Sequence, residues 1–226
     1  MSLTDRPSSE RPREKLLQRG PEFLSDSELI AILLRTGLPG QDAIALAQAL
    51  IERFGGLYGL LSAPSKDLTD TLGLGPAKTA QLIAVLELAR RTLREEMAAG
   101  VSLASVDSVR RYLKLSLAHR EYEVFHALWL DARNRLIASE ELFRGSLTQT
   151  SVYPREIVRR ALQHNAAAVI FAHNHPSGIA DPSGADEHLT SALQQALGLI
   201  DVRLLDHFII AGMTDPYSFS EHGKLA

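Results

Sequence analysis

The stretch Ala166-Ala167-Ala168-Val169-Ile170-Phe171-Ala172-His173-Asn174-His175-Pro176 decides how the second half of this chain folds. Seven apolar residues in a row, closed by a proline turn, fit a short strand covered on both faces. Side chains alternate along a strand, so His173 and His175 point to one face and could share one ion. Ser183 and Asp186 follow, placing two imidazoles, a hydroxyl and a carboxylate between positions 173 and 186. Imidazole and carboxylate are good zinc ligands, and a catalytic zinc site needs three protein ligands and one open position for water. The residues alone therefore point to a metallohydrolase, without naming a substrate.

Each piece also has a plain structural explanation. His173 to Pro176 can be a polar turn, and Ser183-x-x-Asp186 has the spacing of a helix cap, with Pro182 and Glu187 in keeping. Neither explains two histidines on one face beside a helix start, and a strand end facing a helix N-terminus is a common place for a site in α/β folds.

Outward from that stretch, a helix is expected over 186–199, then strands over 202–205 and 208–211, or one kinked strand. Upstream, 154–165 reads as a helix. Strand-like segments at 123–130 and 135–139 flank Asp131-Ala132-Arg133-Asn134, a hairpin turn. A further strand is expected over 141–143 and a helix over 108–118. Strands interleaved with helices make this half α/β or α+β.

The first half has a different texture. Residues 1–13 are polar and expected to be loose, and the pattern over 14–94 is helical. Ser25-Asp26-Ser27-Glu28 caps one helix, Gly37-Leu38-Pro39-Gly40 breaks it, and 43–54 is a second helix stopped by Gly55-Gly56. Short helices near 57–62 and 66–72 and a long one over 76–97 follow. The boundaries expected are a flexible 1–13, an all-α domain over 14–100 and a second domain over 101–226, with a linker over 98–106.

Composition narrows the chemistry. The 226 residues suit two modest domains, and 45% hydrophobic content is enough for ordinary cores. Net charge is −3, so no global basic field attracts nucleic acid. All eight histidines lie between His119 and His222, which confines metal chemistry to the second half. With 0 cysteines, disulfides, thiol nucleophiles and cysteine zinc sites are excluded, and a metal site must use His, Asp, Glu and water. The opening residues lack an apolar leader and no run of about 18 apolar residues exists, so a cytoplasmic protein without a membrane partner is expected.

Leu72-Gly73-Leu74-Gly75-Pro76-Ala77-Lys78-Thr79-Ala80 carries a second possible function. A Gly-x-Gly hairpin between helices lets backbone N–H groups approach a phosphate, and Lys78 and Thr79 could add contacts. A tight turn chosen for backbone geometry alone is the alternative. With Leu72, Leu74, Ala80 and Leu82 beside it, the segment resembles the helix-hairpin-helix element of DNA-repair proteins, which implies contact of Gly73, Gly75 and Lys78 with a DNA backbone. Near-neutral charge limits such contact to weak, non-specific binding.

His173-x-His175-Pro176, with Ser183 and Asp186 after it, resembles the JAMM (MPN-plus) metalloprotease signature. The match is closer to the RadC family: His173-Asn174-His175-Pro176-Ser177-Gly178, Pro182-Ser183, Tyr153-Pro154-Arg155-Glu156, Leu205-Asp206-His207, Leu24-Ser25-Asp26 and the Gly73 hairpin all resemble it. The resemblance runs from about Arg11 onward. It implies an N-terminal helix-hairpin-helix domain, then a JAMM/MPN-like mixed α/β domain with a cytidine-deaminase-like sheet flanked by helices. It further implies one zinc ion per chain on His173, His175 and Asp186, with water as fourth ligand. Glu123 is the implied general base, with Glu121, Glu140 and Glu141 as rivals, and Ser183 the implied oxyanion donor. The implied reaction is hydrolysis of an amide, peptide or isopeptide bond in a protein or peptide of unspecified identity. Many isopeptidases of the class carry Ser or Thr where this chain has Asn174, which weakens transfer of isopeptidase specificity. Tyr153, Arg155 and Glu156 read as a helix cap, and His207 as a core histidine, with support of the metal site or a substrate-side role as the alternative. His119, His126, His164, His188 and His222 read as surface residues, and Trp129 and Phe171 as core. The alternative function is a DNA-associated module, repair-related in the family's name, whose metal domain is structural or inert.

Overall fold

A computed structural model describes residues 7–99, 106–145, 152–212 and 214–225. The chain divides into two compact units, 1–89 and 90–226. The first contains α1 (Pro12–Arg19), α2 (Asp26–Leu34), α3 (Ala43–Arg53), α4 (Leu57–Ser62), α5 (Ser65–Thr69) and the start of α6 (Pro76–Ala99). Among its described residues the only β pairing is the single bridge between Leu38 and Gln41.

Local chemistry accounts for the helix starts. Ser25 Oγ accepts from Glu28 N at 3.2 Å while Glu28 Oε2 accepts from Ser25 N at 2.8 Å, a reciprocal cap on α2. Asp42 caps α3 by accepting from Ala45 N at 2.9 Å. Residues 8–10 form one 3-10 turn and α1 opens at Pro12, so 7–13 are more ordered than their polarity suggests; proline suits the first helical position, where no N–H is needed. Ile30, Leu34, Leu46, Leu50, Leu60, Leu74 and Leu82 are buried together in this unit.

The second unit contains α7 (Val106–Leu117), β1 (Val124–Leu130), β2 (Leu136–Arg144), α8 (Pro154–Gln163), β3 (Ala168–Asn174), α9 (Gly184–Gly198), β4 (Arg203–Ile210) and the two-residue β5 (Tyr217–Ser218). Most of the expected linker lies outside the described residues, since 98 and 99 end α6 and Val106 opens α7. The strands make one sheet in the order β2-β1-β3-β4-β5. Only β3 and β4 pair in parallel, joined by the crossover through α9. The β1–β2 hairpin turns where expected: Asp131 Oδ1 accepts from Arg133 N and Arg135 N, and Asn134 takes φ +57°.

Alternation divides the sheet between two cores. Val124, Leu128, Ile170, Ala172 and Phe208 face Val109, Leu113 and Leu117 of α7. Phe125, Trp129, Val169 and Phe171 face Ile157 and Ala161 of α8 and Leu193 and Leu197 of α9. Every residue of β1 and β3 is buried, as largely apolar strands between helix layers should be.

One strand differs from expectation, and another takes the second of its two expected forms. β2 is one strand, whose ladder to β1 skips Ile137 and Leu142 without breaking it. β4 is also continuous, and its pairing with β3 skips Leu205: Leu204 opposes Val169, then Asp206 opposes Ile170. A bulge reverses the alternation beyond it. Leu204 therefore shares a face with Val169, while His207 rather than Asp206 shares one with Phe171 and His173.

Candidate metal centre

β3 carries His173 to its C-terminal edge and His175 just past it, where His175 N donates to Ile210 O of β4 at 2.9 Å. α9 begins nearby and supplies Asp186 in its first turn. His173 Nε2 and His175 Nε2 lie 3.0 Å apart. Asp186 Oδ1 is 3.2 Å from His173 Nε2, and Oδ2 is 3.6 Å from His175 Nε2. Zinc–ligand bonds of about 2.1 Å at tetrahedral angles give ligand–ligand edges of about 3.3 Å, so these separations fit one ion. Among the described residues this is the one group of three or more His, Cys, Asp or Glu side chains close enough to hold a metal.

The partners of the rings determine which nitrogens carry protons. Thr190 Oγ1 donates to the Asp186 carbonyl at 2.6 Å, so its single proton is committed. It therefore accepts from His207 Nδ1, also at 2.6 Å. With Nδ1 protonated, neutral His207 accepts through Nε2, taking the proton of His173 Nδ1 at 2.9 Å. His173 Nε2 is left with a lone pair. His175 Nδ1 lies 2.8 Å from the Ile179 carbonyl, which can only accept, so His175 Nε2 also presents a lone pair. Two lone pairs and a carboxylate meet at one point. That arrangement repels unless a cation, either proton or metal, lies among them.

Charge follows the same logic. Burial opposes ionisation of Asp186, but its bonds to His173, His175 and Ser183 outweigh burial and hold the carboxyl well below the usual range. The hydrogen bond to Asp186 raises the pKa of His175 against the opposing effect of burial, and the Ile179 carbonyl and the Glu123 charge help. Burial first, and then the neighbouring His173, lower the pKa of His207, which keeps it neutral. Ser183 performs the capping that its spacing suggested: Oγ accepts from Asp186 N at 3.2 Å and donates to Asp186 Oδ2 at 2.6 Å. The same two residues thus start a helix and aim a carboxylate.

Glu123 immediately precedes β1. Phe125 pairs with His173 in the antiparallel ladder, so continuing it by two residues sets Glu123 across from His175 and on the same face. The rivals are engaged elsewhere. Glu140 accepts from Trp129 Nε1 at 2.7 Å and lies 3.1 Å from His164 Nε2, while Glu141 pairs with Arg144 and Arg120. Glu121 is exposed.

Residues 103–224 match the RadC-like JAB domain, and residues 3–80 match the UPF0758 N-terminal domain. A UPF0758 protein of Nitrosospira multiformis is 60% identical over the full length of both chains, and one of Dechloromonas aromatica is 58% identical, again over both full lengths. The chain belongs to the RadC family. Its second unit is thus a JAB domain of the metallohydrolase-like superfamily, with a His-His-Asp group that could hold a metal.

The other residues singled out in this RadC-family chain find varied places. His207 is fully buried, stacked on Phe219 with ring centroids 4.9 Å apart, and is both a core residue and the partner of His173. His188 and His222 are exposed, but His126 is 9% exposed with Nε2 2.8 Å from Ser139 Oγ, and His119 and His164 are half-buried. Reading those three as surface residues is therefore corrected. β1 is buried on both faces, which internalises His126; His164 lies over Trp129 and beside Glu140. Tyr153 precedes α8 without a side-chain cap, which corrects the cap reading: Glu156 is paired with Arg159 and Arg155 lies over the Tyr153 ring.

In the UPF0758 N-terminal part, Gly73 takes φ +92°, and a Cβ there would come within 2.9 Å of Leu46 Cδ1, so backbone geometry and packing both require glycine. Gly75 has open space at its Cβ position. Lys78 Nζ donates to the Thr36 carbonyl at 2.7 Å, and burial lowers its pKa. Thr79 is buried, 4% exposed, and not placed for a surface phosphate. No helix of the described residues is long and apolar enough to cross a membrane.

Two residues around the metal group, Thr190 and Asn174, have no role assigned from the sequence, and His207 takes up both of its sequence readings, core residue and support for the site. Thr190 lies four positions after Asp186, on the same helix face, which is a usable signal. His207 became adjacent only through the bulge at Leu205.

Proposed function

We propose that this RadC-family chain is a zinc-dependent hydrolase of the JAMM type that cleaves an amide, peptide or isopeptide bond. The observation that carries the reading is the convergence of two Nε2 lone pairs and one carboxylate, with each ring's other nitrogen already committed. His173, His175 and Asp186 hold the ion, one per chain. Bound zinc supplies a Lewis acid and brings the pKa of a coordinated water towards about 7. Glu123 accepts a proton as the water oxygen bonds to the carbonyl carbon, then delivers it to the departing nitrogen as the C–N bond breaks. The Ser183 hydroxyl, which now faces Asp186, donates to the developing oxyanion after turning from that carboxylate.

Metal content tests the reading. Wild type should carry about one zinc per chain, and His173→Ala combined with His175→Ala should carry almost none. A double variant that retains wild-type zinc would overturn it. Cleavage of a peptide library by the zinc-loaded protein, read by mass spectrometry of new termini, should disappear in Glu123→Gln.

A further inference from the structure

We propose that Asn174 is a positioning residue that holds Glu123 in register with the metal ligands. The proposal rests on the hydrolase reading above and adds a role to the residue between the two histidines. Asn174 is 2% exposed and, by strand alternation, lies on the opposite face of β3 from His173. Its Oδ1 accepts from Val124 N at 2.8 Å. Its Nδ2 donates to the carbonyls of Tyr122 at 3.0 Å and Arg120 at 3.2 Å. Val124 and Tyr122 are the chain neighbours of Glu123 on either side. The Glu123 carbonyl is held in turn by Gly145 N at 2.9 Å.

The main-chain ladder between β1 and β3 ends at Phe125–His173, two pairs short of Glu123. The Asn174 amide continues it with a side chain. Only one amide orientation works, since the reverse would face NH2 with Val124 N–H and the carbonyl oxygen with two carbonyls. An aspartate would oppose the same two carbonyls with charge. A hydroxyl has one proton and too short a reach to satisfy all three groups. The side chain between the two metal-binding histidines therefore sets the backbone that carries the base.

A hydroxamate loses its proton when it chelates a metal, and a nearby carboxylate that takes the proton tightens binding. Acetohydroxamate affinity for the zinc-loaded full chain thus reads the placement of Glu123 without a substrate. Glu123→Gln should weaken it. Asn174→Ala should weaken it about ten- to hundred-fold with zinc still near one per chain, because His207 and the Ile179 carbonyl still orient the ligands. In the Glu123→Gln background, Asn174→Ala should add nothing. Undiminished affinity in Asn174→Ala, or losses that add, would overturn the proposal and leave the hydrolase reading intact. Wild type without zinc would remove that reading and this proposal together. Should the alanine variant not fold, Asn174→Ser is read by the same cycle. In wild type the Val124 amide should exchange with solvent as slowly as the central strands, and exchange at loop rates would by itself refute the Asn174 bond.

Discussion

His175 holds two opposed demands. Its bond with Asp186 favours a proton on Nε2, while a metal needs that nitrogen bare. Its folded pKa is raised above 6.5, so the proton competes most strongly on the acid side. Zinc affinity should therefore fall as pH drops from 8 through that raised pKa, approaching tenfold per pH unit, measured by competition with a chromophoric chelator. His207 acts one step back. Replacing it with phenylalanine preserves a buried ring beside Phe219 but removes the acceptor of His173 Nδ1–H. His207→Phe should fold and lose about ten- to hundred-fold in zinc affinity, and wild-type affinity would show that the ring orients nothing.

At the scale of elements, β1 and β2 carry a pH dependence independent of the metal. His126 Nε2 bonds Ser139 Oγ, which bonds the Tyr112 hydroxyl of α7 at 2.7 Å. Burial pushes the His126 pKa down to about 4, with Arg120 adding to it against Glu140 and Glu141. The folded state favours the neutral ring, so its full stability is present above about 6.5 and is lost as pH falls from there towards 4, a swing of about 3 kcal/mol. Urea midpoints between pH 7 and 4 should fall less steeply in His126→Asn. The same strands show what the sequence disclosed. β1 and β3 were readable because β1 is apolar but for His126 and β3 is apolar up to His173. β2 and β4 read as fragments because residues are skipped in their ladders, Ile137 and Leu142 in β2 and Leu205 in β4, which shifts the phase of the pattern. Two-residue β5 has no periodicity to detect.

For the whole molecule, the metal group and every partner named for it lie in 90–226. Calorimetry should show zinc raising the melting of that unit by about 4 kcal/mol at a thousandfold excess over Kd, with the unit over 1–89 unmoved. No shift in the unit over 90–226 would overturn the metal site. The motif His173-x-His175 and Asp186 was legible because strand and helix periods are local. Thr190 to His207 and Asn174 to Val124 were not, since those partners are 17 and 50 residues apart in the chain and meet only after the sheet forms. The bond from Lys78 to the Thr36 carbonyl, 42 residues back, likewise has no local signal.

The hydrogen-bonded path from Asp186 O through Thr190 and His207 to His173 has a polarity, and the main chain sets it. A carbonyl has no proton to give, so each bond must run towards it, and Ile179 O imposes the same rule on His175. Thr190 transmits this polarity to the rings, since its one proton is spent on the carbonyl and it can only accept from His207. While the backbone holds, Thr190 and His207 stay in place and the rings stay neutral, both histidines offer lone pairs, so the site's appetite for a cation is inherited from carbonyls of the main chain.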